Sequence, residues 1–250
     1  YRVSGASVVL GKLDLAAAGD VDHAGAVTVG GAASMQAGGR LAQGETRILG
    51  AGVLTSGGGQ TYAGGVSAGG PLDMRSGAGV DVAGAVLTPE ALSIEGGAEG
   101  IRIADRLSTG GSLTMSADRA ITVGGEMLAL GMAQVRSRQD GIRLLGAVTA
   151  MDALSLEAAG DVRLAGDLAA GHALERVAQH RQGRVGRGLT LGHLLLLLNG
   201  QHRMRQIAYH VMHHDQPQVL GCHAETSEGV ILGDRVVFAV PGSGEELQRC

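Results

Sequence analysis

Aromatic side chains are almost missing from these 250 residues: there is no tryptophan, one phenylalanine and three tyrosines. A globular core built around rings is therefore excluded, because such residues supply much of the area that large cores bury. Cysteine is scarce as well. Cys222 and Cys250 are the only two, so no disulfide framework can hold the first two-thirds of the chain together. No run of 18 apolar residues occurs, and no transmembrane helix is expected. The segment from Tyr1 onward lacks the basic and apolar stretches of a signal peptide, and the chain reads as a piece of a longer protein without its own export signal. Net charge is −4. The 17 acids and 12 bases before His172, and the 7 acids and 8 bases after it, leave neither part with the strongly basic field that nucleic acid demands as a partner.

Glycine is abundant, at 44 residues, and 44% of the chain is apolar. A thin aliphatic core fits stacked coils with small residues at their corners. Apolar residues recur about every twenty positions. One column runs Leu13, Ala33, Val53, Leu72, Leu92, Leu113, Ala133, Leu154, and a second runs Leu15, Met35, Thr55, Met74, Ile94, Met115, Val135, Leu156. The third is Val21, Leu41, Thr61, Val80, Ile101, Ile121, Ile142, Val162. The fourth is His23, Gln43, Ala63, Val82, Ile103, Val123, Leu144, Leu164. Between the first two columns the residue is polar in seven of eight copies, Leu54 being the exception. A Gly/Ala linker would not keep that contrast, whereas a strand with one buried face requires it.

Each coil then holds two such strands, and a third short segment, as at Val27 and Val29, closes it into three faces. Equivalent strands of successive coils are expected to pair in parallel at roughly 4.8 Å, so eight coils span about 40 Å. Gly-Gly pairs at 30–31, 38–39, 96–97 and 124–125 are expected to supply positive φ at corners. The fold class is all-β: a β-solenoid of about twenty residues per coil over 1–174.

The pattern Gly-x-Leu-x-Leu-x-Ala-x-Gly-Asp-Val, in Gly11–Val21 and nearly so in Ala153–Val162, resembles the haemagglutinin repeats of filamentous-haemagglutinin-type exoproteins. The resemblance covers residues 5 to about 174. It implies a right-handed parallel β-helix and export by a dedicated outer-membrane partner transporter. It also implies a place in the secreted or surface protein of a Gram-negative bacterium, and attachment to host-cell glycans or proteins or to other bacteria. Stalks of contact-dependent inhibition toxins share the repeat. The family's amino-terminal secretion domain is not evident, so the chain is similar to an internal fragment.

The next coil would place Arg176, Gln182 and Arg184 at inward positions, where an unpaired charge costs several kcal/mol. The repeat is therefore expected to end near Leu174, with an irregular or partly helical segment over 175–250. Eight of nine histidines lie at or beyond His172, and Arg176–His214 carries six arginines and no acid. Three readings of this segment stay open: a cap over the open sheet edge, with Met204, Ile207 and Val211 on one helical face; a non-native tail from a frameshift or insertion; or a functional domain.

Candidate chemistry is sparse, and neither catalysis nor a cofactor is expected. His210, His213 and His214 could share a helical face as metal ligands, but no Glu stands between them as in a zinc-protease motif, and chance clustering in a His-rich tail explains them better. A polysaccharide-degrading β-helix would need carboxylates converging on adjacent coils. Asp14 and Asp73 share a column with two coils between them, as do Asp22 and Asp81. Arg102, Arg143 and Arg163 occupy the outward position between columns three and four, a basic strip that suits anionic glycans, although such residues also simply keep a rod soluble.

Overall fold

The computed structural model describes the backbone of residues 1–178, 228–232 and 235–239, and the side chains of residues 1–172. Three faces of nine parallel strands make the solenoid. Face A holds strands from Arg2–Val3 to Val162–Leu164, face B from Ser7–Val9 to Leu168–Ala170, and face C from Leu13–Ala17 to Ala173–Ala178. Every strand pairs only with its counterparts in the neighbouring coils, so the all-β solenoid of about twenty residues per coil expected from the sequence is the fold.

Alternation explains the core. In the coil made of Gly100–Ile103, Leu107–Thr109 and Leu113–Ala117, Ile101, Ile103, Leu107, Leu113, Met115 and Ala117 are buried. Their neighbours Arg102 and Thr114 are exposed. Ile101 stands in register with Val80 below and Ile121 above, so each coil buries its interior only against the next. Polar inward groups are satisfied where coils turn: Ser76 Oγ donates near Gly58 O and Gly79 O at 2.7 Å each, and Thr88 Oγ1 donates to Gly70 O at 2.6 Å. Buried His23 lies 3.0 Å from Gly25 O through Nδ1 and 2.7 Å from Ser7 Oγ through Nε2. A carbonyl can only accept, so Nδ1 carries a proton and, in the neutral ring, the serine donates to Nε2.

The third coil corrects the expected register. Gly52 and Leu54, not Val53 and Thr55, stand in line with Leu72 and Met74, and Gln60 and Tyr62, not Thr61 and Ala63, stand in line with Val80 and Val82. Leu54, Gln60 and Tyr62 are buried, while Val53 is 44% exposed. The cause is a corner one residue shorter: two residues separate Leu41–Gln43 from Thr46–Ile48, where three separate Val21–His23 from Val27–Val29. A one-residue slip sends every side chain of a strand to the opposite face.

Glycine also acts differently from the expectation. Among the described glycines only Gly100 has positive φ, at 83°. It absorbs the extra residue of the corner between Leu92–Gly96 and Gly100–Ile103, where its N–H donates to Gly97 O at 3.0 Å. The paired glycines are needed for clearance instead. A Cβ on Gly38 would run into the carbonyl of Ala18 in the coil before it, and one on Gly97 into that of Gly77.

Face C continues through Ala173–Ala178, with Leu174 beside Leu154 and Arg176 beside Leu156. In a second unit, Glu228–Leu232 and Arg235–Ala239 form an antiparallel pair. The signal was in the sequence: two apolar runs flank Gly233-Asp234, a two-residue turn pair. The helical face proposed for Met204, Ile207 and Val211 lies outside the described residues.

Candidate functional site

Regular coils turn sequence positions into surface columns. Arg102, Arg143 and Arg163 occupy the middle of three face A strands and point outward. Thr122 separates the first two, and Arg143 is directly in register with Arg163. At about 4.8 Å per coil, Arg143 stands about 5 Å from Arg163 and about 10 Å from Arg102 along the stack. The strip is therefore interrupted by Thr122, and its charge is partly cancelled. Arg102 Nη1 lies 3.3 Å from Asp81 Oδ1 in the preceding coil, and Arg163 Nη2 lies 3.0 Å from Asp161 Oδ2 at the adjoining corner. Arg143 has no ion pair among the described residues. The sequence columns located all three arginines and place Asp81 next to Arg102 in the same column; they did not reveal Asp161, which lies in a corner outside the columns.

The acids weighed for catalysis are distributed as their spacing implied. Ser34 and Val53 stand between Asp14 and Asp73 on face C, and Ala42 and Thr61 stand between Asp22 and Asp81 on face A. Asp73 pairs with Arg75 at 2.7 Å and Asp22 with Arg2 at 3.2 Å. The bond to Asp73 holds the exposed Arg75 guanidinium above its usual pKa. Such exposed pairs add little to stability; their chemical consequence is that most of these carboxylates already face a cation.

A shallow recess that the columns missed lies beside face C. Its floor is the backbone of Gly77, Gly96 and Gly97, and Arg75, Glu95 and the Asp118–Arg138 pair, 3.0 Å apart, form its walls. Glycine at the same corner of successive coils was its sequence signal. Among the described residues, no group of three or more His, Cys, Asp or Glu side chains is placed to hold a metal ion, and no helix is long and apolar enough to cross a membrane. His210, His213 and His214 lie outside the described residues. Together these features define the solenoid class: among the described residues, stacked coils with a mainly aliphatic interior and their acids and arginines on the outer columns and corners. No protein-family model, curated protein or solved structure matches the chain.

Proposed function

We propose that this chain is a rod segment of a secreted or surface-displayed bacterial adhesin of the filamentous-haemagglutinin type, with a binding rather than a catalytic role. On this reading the parent protein leaves a Gram-negative cell through an outer-membrane partner transporter and attaches to host cells or to neighbouring bacteria. The observation that carries the proposal is the solenoid itself: an interior filled with aliphatic side chains and outer columns that repeat in register. Such a stack holds surface groups at fixed spacing along its length, and regular arrays of this kind suit extended or repetitive partners. The repeat motif at Gly11–Val21 supports the same reading.

Arg143 and Arg163 are the groups assigned to an anionic glycan. Replacing both with serine is expected to weaken retention on immobilised heparin by about threefold or more at low salt, an effect that shrinks as ionic strength rises. Arg102→Ser is expected to do less, since Asp81 already faces that guanidinium. The neutralisation of Arg102 and Arg163 favours a second reading, in which the rod is an inert stalk that presents another domain. Unmodified protein that fails to bind heparin, host cells or bacterial cells would leave only the stalk.

A further inference from the structure

Face B confines its charge to one edge: apart from Arg47, its outward charged residues, Glu45, Arg106, Glu126 and Asp167, all stand at the start of a strand. Alternation points three residues outward from each coil here, at the start, middle and end of the strand. In the fifth coil these are Ala85, Leu87 and Pro89 around the strand Val86–Thr88. Arg47 is the only charged residue in the middle column, and the end column has none. Five of the nine exposed large hydrophobic residues among those described lie on this face: Val8, Leu10, Leu49, Leu130 and Met151, exposed by 51–90%.

We infer that face B is an interface between two copies of this chain, packed face to face with their solenoids antiparallel about a two-fold axis along the strand at Leu87. Under that operation the fifth coil meets itself, and coils at equal distance on either side exchange partners. The columns are self-complementary under it. In the middle column Ser67 faces Ser108, Thr28 faces Thr149 and Val8 faces Ala169. In the end column large residues meet glycine or each other: Met151 faces Gly30, Leu10 faces Gly171, and Leu49 faces Leu130. In these two columns each protruding apolar side chain is opposite a small residue or another apolar group, save Leu128, which meets the stem of Arg47.

Charge selects the same arrangement. Arg47 and Glu126 have no ion pair among the described residues. The two-fold axis lays the stem of Arg47 on Leu128 of the second copy, with that copy's Glu126 two residues back along the strand, and it does so twice. Glu45 and Glu126 face each other at the rim, where Arg47 stands beside them to offset the repulsion. A parallel packing would place Arg47 on Arg47 in the middle of the face. Nine strands at about 4.8 Å, with outward residues spread over about 13 Å, give roughly 550 Å² per copy. That is below the roughly 800 Å² per partner of a standard interface, while the two copies together clear the approximately 1,000 Å² minimum, so the dimer is expected to be weak, with micromolar dissociation.

Sedimentation velocity of the full chain through the micromolar range is expected to show a monomer–dimer equilibrium. Leu87→Glu puts two carboxylates on the axis and is expected to weaken the dimer at least tenfold, whereas Val53→Glu on face C leaves it unchanged. Direction is read by cross-linking in a Cys222→Ser, Cys250→Ser background. Packed sheets stand about 10 Å apart, so a short bis-maleimide is used rather than a disulfide. Thr28→Cys mixed with Thr149→Cys is expected to cross-link, and Thr28→Cys alone is not, because six coils, or about 29 Å, then separate the two thiols along the stack. A chain that stays monomeric, a Leu87→Glu dimer as tight as the original, or Thr28→Cys that links to itself would each overturn the inference. All three readouts are independent of whether the rod binds glycans.

Discussion

Tyr62→Ala is expected to destabilise the solenoid by about 4 kcal/mol, within the range for deleting a large buried aromatic. Among the described residues Tyr62 is the bulkiest fully buried side chain and the one buried phenol in a mainly aliphatic core. It fills the fourth column of the third coil between Gln43 and Val82. Its hydroxyl donates to Gln60 Oε1 at 3.0 Å, while Gln60 Nε2 donates to Leu54 O at 2.8 Å and Arg75 O at 2.7 Å. Tyr62 thus completes a polar bridge that ties the third and fourth strands of face C, Gly52–Ser56 and Leu72–Ser76, to the fourth strand of face A, Gln60–Tyr62. Removing it leaves a cavity and a buried amide oxygen without its donor. Urea denaturation followed by circular dichroism gives the difference; a change under 1 kcal/mol would mean that this coil packs otherwise.

Tyr62→Phe separates the two contributions. The ring stays, Gln60 Oε1 loses its donor, and the cost is expected to fall to about 1–3 kcal/mol. The phenol also couples stability to alkaline pH. Burial pushes its pKa well above the ordinary value of about 10. The unfolded chain therefore releases this proton above about pH 10 while the folded chain retains it. Stability from this group is complete below pH 10 and declines above it, by about 1.4 kcal/mol per pH unit. Melting temperatures between pH 8 and 12 are expected to fall less steeply for Tyr62→Phe than for the unmodified protein. Parallel curves would show that the phenol is not buried.

The coils were legible because alternation at period two inside a period of twenty leaves few arrangements open, and because Leu and Met recur at the inward positions of face C. The third coil hid its register by reversing the composition on which that reading depends. Val53 is apolar and outside, Gln60 is polar and inside, and the shortened corner at Gly44–Glu45 contains nothing that marks a deletion. The shortened corner sets which way these residues face, and the register it imposes buries Leu54 and Tyr62 together with Gln60. The arginine strip was legible for the same reason as the core, since a known inward column fixes the outward one. Its partial neutralisation was legible only in part: Asp81 precedes Arg102 in the same column, whereas Asp161 reaches Arg163 from a corner that the columns leave out. The confinement of charge to one edge of face B was not legible, because its inward column showed only at Val27, Val29, Val86 and Val148, too few copies to fix what lies between them.

Gly97→Ala tests the role that sequence could not assign to glycine. The two explanations for a corner glycine, positive φ and missing Cβ, give the same letter in a sequence, but they differ in what an added methyl group meets. At Gly97 it meets the carbonyl oxygen of Gly77, with the carbonyl carbon at 2.7 Å and Ala78 O at 3.2 Å. All three are backbone atoms, so no side chain can swing aside, and relief requires the fourth and fifth coils to part. That parting stretches the bonds between Leu72–Ser76 and Leu92–Gly96, and the expected cost is about 3 kcal/mol, at the upper end of overpacking penalties. Because each coil is stabilised by its neighbours, the loss falls on one interface in the middle of the stack. Thermal unfolding is expected to broaden or split into two steps as the coils on either side melt separately. Gly19→Ala is the matched control: its Cβ would have nothing within 4 Å, and the change is expected to stay within about 0.5 kcal/mol, or to stabilise slightly through the unfolded chain. Equal effects at the two positions would remove clearance between coils as the reason for glycine at these corners.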